Sequence, residues 1–185
     1  MTESNFPFVK NEILRQNLDE AFDHILTLLP FTESVTYNEA AKSAFRKTII
    51  IYTASIVEAL LFHVLDKEFA DDNIKEYYGS WELEDKKVLY KIDDSHHIVA
   101  GDYKKVLGKA GKEKMNLGQI TDFLKNKEIM SKNLFEVVDE LRVLRNEQHI
   151  GTHAQVKSYT KDNLEKAFFV AREVKEFTQK QIVEK

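Results

Sequence analysis

The chain has 185 residues, enough for one domain with a sizeable hydrophobic core, and its 43% hydrophobic and 31% charged residues are typical of a folded globular protein. It contains no cysteine, which excludes disulfides, thiolate catalysis, zinc fingers and iron–sulfur clusters. The net charge of -4 provides no general attraction to nucleic acids or anionic membranes, so any such binding must come from a local patch.

The first two predicted elements are long helices. From Asn11 to Leu29 apolar residues recur at helical spacing and stop at Pro30, which predicts an amphipathic helix. Asn38 can cap a second helix from about Glu39 to Phe69. Because the apolar residues in the middle of this second segment go all the way round, we expect it at the centre of a helical bundle.

Neither membrane insertion nor export is indicated by the sequence. The most apolar stretch, Ile49 to Leu65, is shorter than the roughly 20 residues that a membrane span requires, and it contains Glu58 and His63. The N-terminal residues show no apolar run of signal-peptide length behind a basic region. We therefore expect a cytoplasmic protein with no membrane association.

The helical pattern breaks down from Asp71 to Asn116, which we interpret as an insertion or long loop. The DDSH stretch at Asp93 to His96, between KVLYKI and HIVAGDY, can turn a small β-hairpin. Lysines crowd the end of this segment and could form a basic loop that binds the phosphates of a substrate; those we single out are Lys104, Lys105 and Lys109. The alternative is a solvated surface loop without a ligand.

Helical spacing resumes after Asn116, from Leu117 to Leu124, and again after Ser131, a plausible N-cap, through Leu144. A last helix begins near Asp162, where Glu165 stands three residues later as in a capping box. These patterns predict a single all-α domain over residues 1–185, a helical bundle with a small irregular or β-hairpin insertion at about 71–116.

The most informative segment is LRVLRNEQHIGTH, from Leu141 to His153. On a helix, Arg145 falls within the apolar arc, and Arg142 and His149 lie just beside it. A buried guanidinium needs a partner, and the second helix offers one carboxylate, Glu58, in its apolar run. We therefore predict a buried or half-buried ion pair between Glu58 and one of these arginines, with Asn146 placed to orient His149 or a ligand.

An arginine and a histidine on one dry surface are suited to phosphodiester chemistry without a metal. The imidazole can take or give a proton near neutral pH, and the guanidinium can hold the charge that builds on phosphate oxygens. The alternative is structural: Arg145 pairs with Glu58 in the core, and His149 only ends the helix. His149 and His153 are four residues apart, but Gly151 interrupts the helix between them, so we expect no metal site and no cofactor.

Three features of the chain resemble the HEPN superfamily (higher eukaryotes and prokaryotes nucleotide-binding). They are the Leu-Arg-Asn-x-x-His run that begins at Leu144, the I-V-E-A-L-L segment that contains Glu58, and the Tyr159 to Leu164 approach to a final amphipathic helix. The family consists of all-α domains, many of them metal-independent ribonucleases of toxin–antitoxin, phage-defence and RNA-processing systems. The resemblance implies a HEPN-like bundle that cleaves RNA, or binds RNA or a nucleotide, in a defence or stress role.

The family motif is an arginine, usually followed by a polar residue, and then a histidine after four to six intervening positions. Arg145 is followed by Asn146 but is separated from His149 by only three residues, whereas Arg142 is separated from it by six and is followed by Val143. The resemblance implies that His149 moves protons, that Arg145 or Arg142 stabilises the phosphorane, and that Asn146 positions the site. Independently of the resemblance, His153 could be a second polar contact at the cleft; the alternative is a solvated loop histidine.

The resemblance also implies partners. Family members commonly join two motif helices in one cleft, so we expect a homodimer, and an antitoxin or another defence protein is a further possible partner. One competing hypothesis is a non-catalytic dimerisation or interaction module, in which the Arg-His helix serves only as an interface. A second is a protein that binds a small molecule between the bundle helices.

Overall fold

Six helices and one two-stranded sheet make up the part of the chain that the computed structural model describes, residues 3–147 and 157–183. In chain order these elements are α1 (Glu12–Leu28), α2 (Glu39–Glu68), α3 (Asp71–Tyr77), β1 (Ser80–Lys91), β2 (His97–Val106), α4 (Leu117–Asn126), α5 (Lys132–Asn146) and α6 (Lys161–Val183). They group into two compact units. The first unit consists of Met1–Lys67 together with Asn116–Lys185, and the second unit consists of Glu68–Met115. The single domain expected from the sequence stays a prediction.

The predicted caps of α2 and α5 are confirmed. The side chain of Asn38 accepts a hydrogen bond from the backbone N–H of Ala41 at 2.9 Å. Ser131 accepts one from the backbone N–H of Leu134 at 3.2 Å. Each cap satisfies an N–H group that has no partner inside its own helix, which is why these short polar side chains mark the starts.

The capping box predicted for α6 is wrong in its residues. The reciprocal hydrogen bonds join Thr160 and Asn163: the Thr160 hydroxyl accepts from the Asn163 backbone N–H at 3.3 Å, and the Asn163 side chain accepts from the Thr160 backbone N–H at 3.0 Å. Asp162 lies inside the first turn, and Glu165 forms an ion pair with Lys161 instead. Thr160 and Asn163 have the same three-residue spacing, so the capping residue lies two residues earlier than the acidic pair suggested.

Helix α2 provides the centre of the first unit, as predicted. Its buried apolar residues go round the whole helix and are fully buried at Ile49, Ile50, Ala54, Val57, Leu60, Leu61, Val64 and Leu65. Among the described residues it is also the one helix that is long and apolar enough to cross a membrane. More than half of its most apolar window is buried inside the structure, as in the core helix of a soluble protein.

The other helices of the first unit contact α2 or one another. Helix α4 packs on α5, and α5 packs on α6. On the α1 side, the His24 and Tyr52 rings lie 5.1 Å apart between centroids. At the far end of α2, Lys67 donates a hydrogen bond to the carbonyl of Ile182 in α6 at 3.0 Å.

His63 on α2 makes the stability of this unit depend on pH. Partial burial lowers the pKa of His63 below its ordinary value of 6.5, and the nearby Lys67 adds to this effect while Asp66 opposes it. The unfolded chain therefore binds a proton more readily at this site than the folded chain does. We expect the free energy of unfolding to be fully retained above pH 6.5 and to fall as the pH drops through the lowered pKa.

Urea unfolding at several pH values between about 7.5 and 5 measures this effect. The matched variant His63→Gln keeps a polar side chain that does not titrate, and it should show a flatter profile over the same range. Parallel profiles for the two proteins would contradict the assignment of the pH effect to His63.

The second unit overturns the all-α prediction. Strands β1 and β2 form an antiparallel ladder of 12 and 10 residues, preceded by the short helix α3, which the sequence pattern did not predict. The fold is therefore mostly helical with a two-stranded sheet. The reason lies in the many β-branched and aromatic residues of this segment, which favour strands once a partner strand pairs with them.

The hairpin turns at Asp93–His96, where DDSH stands in the sequence. Asp93 accepts hydrogen bonds from the backbone N–H groups of Ser95 and His96 at 2.7 and 2.8 Å, and it contacts the His96 ring at 2.9 Å. These hydrogen bonds, first the one from Ser95 and then that with the His96 side chain, lower the pKa of Asp93. The aspartate thus replaces the backbone partners that the turn lacks.

Candidate functional site

The predicted pair between α2 and α5 is confirmed for Arg145. Its guanidinium lies 3.4 Å from the Glu58 carboxylate, and the two side chains are 36% and 27% exposed. Glu58 stands between fully buried turns of α2, and Arg145 lies in the last turn of α5. The contact is half-buried, so the arginine is held in place while part of its side chain remains reachable from solvent.

Arg142 occupies a different environment one turn earlier on α5. It donates a hydrogen bond through Nε to Asp139 at 2.7 Å, within its own helix. Its side chain also passes close to the first turn of α4, where a Cβ atom at Gly118 would lie 3.2 Å from Arg142 Cδ. Glycine at this position therefore gives Arg142 the space that it occupies beside α4.

Of the remaining motif residues, the described part of the structure includes Asn146 but not the two histidines. Asn146 is the last residue of α5 and is exposed, so its amide is available to solvent at the helix end. His149 and His153 lie outside the described residues, and their predicted roles stay predictions. Lys157, the first described residue after that gap, forms an ion pair with Glu147, the residue that caps α5.

The predicted substrate-binding lysines belong to the second unit. Lys104 pairs with Glu84 at 3.3 Å across the hairpin, and Lys105 pairs with Glu76 of α3 at 3.2 Å. Lys109 is exposed in the segment after β2. Two of the three positive charges are therefore partly neutralised within the unit, which weakens the electrostatic attraction that the loop can offer to phosphates.

A groove of about 470 Å³ runs between α5 and α6 beside the motif segment. Its charged and polar lining comes from Asp139, Glu140, Glu147, Lys157, Asn163 and Lys166. Three carboxylates against two lysines give this groove a slightly negative character. Arg145 does not line this groove. The groove is therefore less suited to binding the phosphates of a nucleic acid than the surface beside Arg145 is.

Arg46 is a buried charge that the sequence interpretation missed. It is 7% exposed and donates to the Thr32 carbonyl at 2.9 Å and to the Tyr159 carbonyl at 3.4 Å. It also pairs with Glu33 at 3.2 Å and with Glu39 at 3.3 Å. The sequence pattern could have predicted this burial, because position 46 lies one helical turn before Ile49 and Ile50 and so falls on a buried face of α2.

No group of three or more histidine, aspartate or glutamate side chains lies close enough to hold a metal ion within residues 3–147 and 157–183. What the described part of the site offers is an arginine held by a carboxylate across two helices. Such a group can bind an anion and stabilise charge on it.

The chain matches no protein-family model, no curated protein and no solved structure in comparisons with known proteins. The resemblance to the HEPN superfamily therefore stays a hypothesis, carried by residues of α2 and by the segment around the end of α5.

The Glu58–Arg145 pair allows a direct test of its contribution to stability. We expect Glu58→Gln to lower the free energy of unfolding by about 1 kcal/mol, because both side chains are partly solvated and the attraction is screened. Chemical denaturation of the variant and the parent measures the difference. Glu173→Gln on α6, where the carboxylate pairs with its exposed neighbour Arg172 at 3.4 Å, is the matched control and should change stability by less than about 0.5 kcal/mol.

Proposed function

We propose that the end of α5 binds a phosphodiester and that the protein cleaves RNA without a metal ion, as a HEPN-like endoribonuclease. The observation that carries the proposal is the Glu58–Arg145 pair, 3.4 Å across two helices, at the turn of α5 that precedes His149 in sequence. The pair supports the proposal because an arginine held by a carboxylate keeps its direction, while its exposed part can meet an anionic ligand.

The proposed reaction uses the nucleophile that RNA itself carries. The 2'-hydroxyl oxygen forms a bond to the adjacent phosphorus, and the bond from phosphorus to the 5'-oxygen of the next nucleotide breaks. His149 accepts the proton of the 2'-hydroxyl, and a protonated imidazole gives a proton to the departing 5'-oxygen. Arg145 stabilises the negative charge on the phosphorane oxygens, and Asn146 positions the phosphate.

Two copies of the α5 end would place two imidazoles in one cleft, so that one acts as base and the other as acid. A homodimer across this face, with RNA as substrate and an antitoxin or another defence protein as a regulator, belongs to the same proposal. So does a cytoplasmic location. Arg142 is the alternative phosphate-binding arginine, although its hydrogen bond to Asp139 already occupies its Nε.

The test is incubation of the purified chain with end-labelled RNA in excess chelator. We expect products with a 2',3'-cyclic phosphate and a 5'-hydroxyl, and no cleavage of the same RNA when its 2'-hydroxyls are methylated. Cleavage that requires Mg²⁺, or that leaves a 3'-hydroxyl, contradicts the mechanism. If the chain binds RNA or a nucleotide but does not cleave RNA, the proposed function becomes that of a HEPN-like binding protein without nuclease activity.

A non-catalytic interaction module is the second candidate function. The observation that favours it is that Arg142 and Arg145 each contact a carboxylate, so neither charge depends on a ligand for its partner. Absence of both RNA cleavage and RNA binding in the assay above selects this candidate.

A further inference from the structure

The hairpin exposes far more apolar side chain than a soluble surface usually does. The exposed fraction of the residue is between 43% and 67% at Trp81, Val88, Leu89, Tyr90, Ile92, Ile98, Val99 and Tyr103. Scattered single apolar residues need no explanation, but a contiguous set of this size on one element marks an interaction surface.

The same element lacks the support that strands usually have. Its sheet has two strands in the part of the chain that the structure describes, so each strand has one unpaired outer edge. A hairpin of two strands is only marginally stable in water, and additional strands or a packed face are needed to stabilise it. A further strand added to one edge would satisfy its free N–H and C=O groups and cover apolar side chains at once.

The charges of the hairpin indicate a protein as its partner. Residues 80–106 contain six acidic residues and five lysines, so the hairpin gives no net attraction to a nucleic acid. The charges are divided along β1, however. Glu82, Glu84 and Asp85 lie in its first half, and Lys86, Lys87 and Lys91 lie in its second half.

This division makes β1 complementary to itself. When two copies of β1 run antiparallel, the acidic half of each strand faces the basic half of the other, whereas a parallel arrangement sets like charges together. Self-complementarity of this kind is what a two-fold symmetric interface requires.

We infer that the outer edge of β1 is a homodimer interface, in which the β1 strands of two copies lie antiparallel about a two-fold axis near Asp85 and Lys86. The bulge between Glu84 and Lys87, where Asp85 has a φ of 49°, lies on this axis. It separates a regular first half, 80–84, from a second half, 87–91, that contains a further irregularity between Val88 and Tyr90. The interface is separate from the α5 face of the proposed function and does not depend on RNA chemistry.

In this arrangement, the residues of the two β1 strands that face each other on either side of the axis are of complementary types. Glu84 meets Lys87 of the second copy, and Leu83 meets Val88. Beyond Val88 the irregularity of β1 shifts the register, and the aromatic residues Trp81 and Tyr90 lie at the two ends of the paired stretch. Opposite charges and aliphatic pairs are among the cross-strand neighbours that stabilise antiparallel strands. Lys104 of β2 already contacts Glu84 at 3.3 Å, so this carboxylate would lie between two lysines in the dimer.

Sedimentation equilibrium of the full chain and of two charge reversals tests the interface. We expect the parent to self-associate, and Glu84→Lys and Lys87→Glu each to raise the Kd of the β1 contact about tenfold or more, because each places two like-charged pairs across the two-fold axis. A dimer that persists unchanged in both reversals belongs to the α5 face and not to β1. An equimolar mixture of the two variants should form a heterodimer with a Kd close to that of the parent, because opposite charges then face each other at both contacts.

Lys132→Glu on α5 is the matched control, since Lys132 is exposed and its reversal makes the same change in net charge as Lys87→Glu. It should leave the dimer Kd unchanged. Rescue in the mixture also shows that both variants are folded. The inference is overturned if the parent stays monomeric at hundreds of micromolar, if neither reversal weakens the dimer, if mixing fails to restore it, or if Lys132→Glu weakens it equally.

Discussion

Arg46→Ala is expected to lower the free energy of unfolding by about 3 kcal/mol. The guanidinium donates to two buried backbone carbonyls, of Thr32 before α2 and of Tyr159 before α6. Removing it leaves both carbonyls without this donor and opens the space that the side-chain stem fills. The carboxylates of Glu33 and Glu39 are 59% and 74% exposed and return to solvent, so they contribute little to the loss.

Urea denaturation measures the difference, and two further variants separate its causes. Arg46→Met keeps most of the stem, so we expect it to recover the packing part of the loss and not the hydrogen-bonding part. Arg172→Ala removes a guanidinium that is 64% exposed and should stay within about 0.5 kcal/mol of the parent. An Arg46→Ala protein as stable as Arg172→Ala would mean that the buried hydrogen bonds do not hold the two segments to α2.

His149→Ala is expected to lower the rate of RNA cleavage on the order of a hundredfold to ten-thousandfold, because it removes the proposed proton carrier. Thermal unfolding should change little, because α5 ends at Asn146, before His149, and the buried residues of that helix, Val138 and Leu141, lie further towards its start. Single-turnover cleavage in excess chelator measures the rate. An unchanged rate, after contaminating nuclease is excluded, ends the ribonuclease proposal and leaves the interaction module.

The two arginines should respond differently from the histidine and from each other. Arg145→Ala removes both the partner of Glu58 and the proposed phosphate contact, so stability and cleavage should fall together. Arg142→Ala removes a pair within one helix, so the fold should persist. If cleavage is then also unchanged, Arg145 is the phosphate-binding residue. A large loss of cleavage in Arg142→Ala, with the fold intact, would assign that role to Arg142.

Much of the helical part of the fold could be predicted from local pattern. The all-round apolar middle of α2 indicated a central helix, and its core residues are fully buried. Asn38 and Ser131 marked the starts of two helices because a short polar side chain satisfies N–H groups at a helix start wherever that helix lies. A pair between Glu58 and one of the arginines of α5 was also predictable, since a lone carboxylate in an apolar run and an arginine facing a packing surface need each other.

Other features depended on information that the local sequence does not contain. The choice between Asp162 and Thr160 as the start of the α6 capping box depended on where the chain enters the helix, and two pairs with equal spacing competed for it. The burial of Arg46 followed from the approach of segments near positions 32 and 159, far apart in sequence. A helical pattern shows which face is buried but not which carbonyl will lie opposite it.

The sequence by itself determined the position and amphipathic character of the main helices, because propensity, capping and periodicity act within a few residues. Only the tertiary structure decided that Arg145 rather than Arg142 pairs with Glu58, since that depends on the packing of α5 against α2. It also decided that the small hairpin suggested around Asp93 to His96 extends into a long exposed ladder over 80–106, because the length and register of strand pairing, with its bulges, depend on both strands together. Half-buried charges and paired strands take their final partners from the packing of distant segments, which no local pattern specifies.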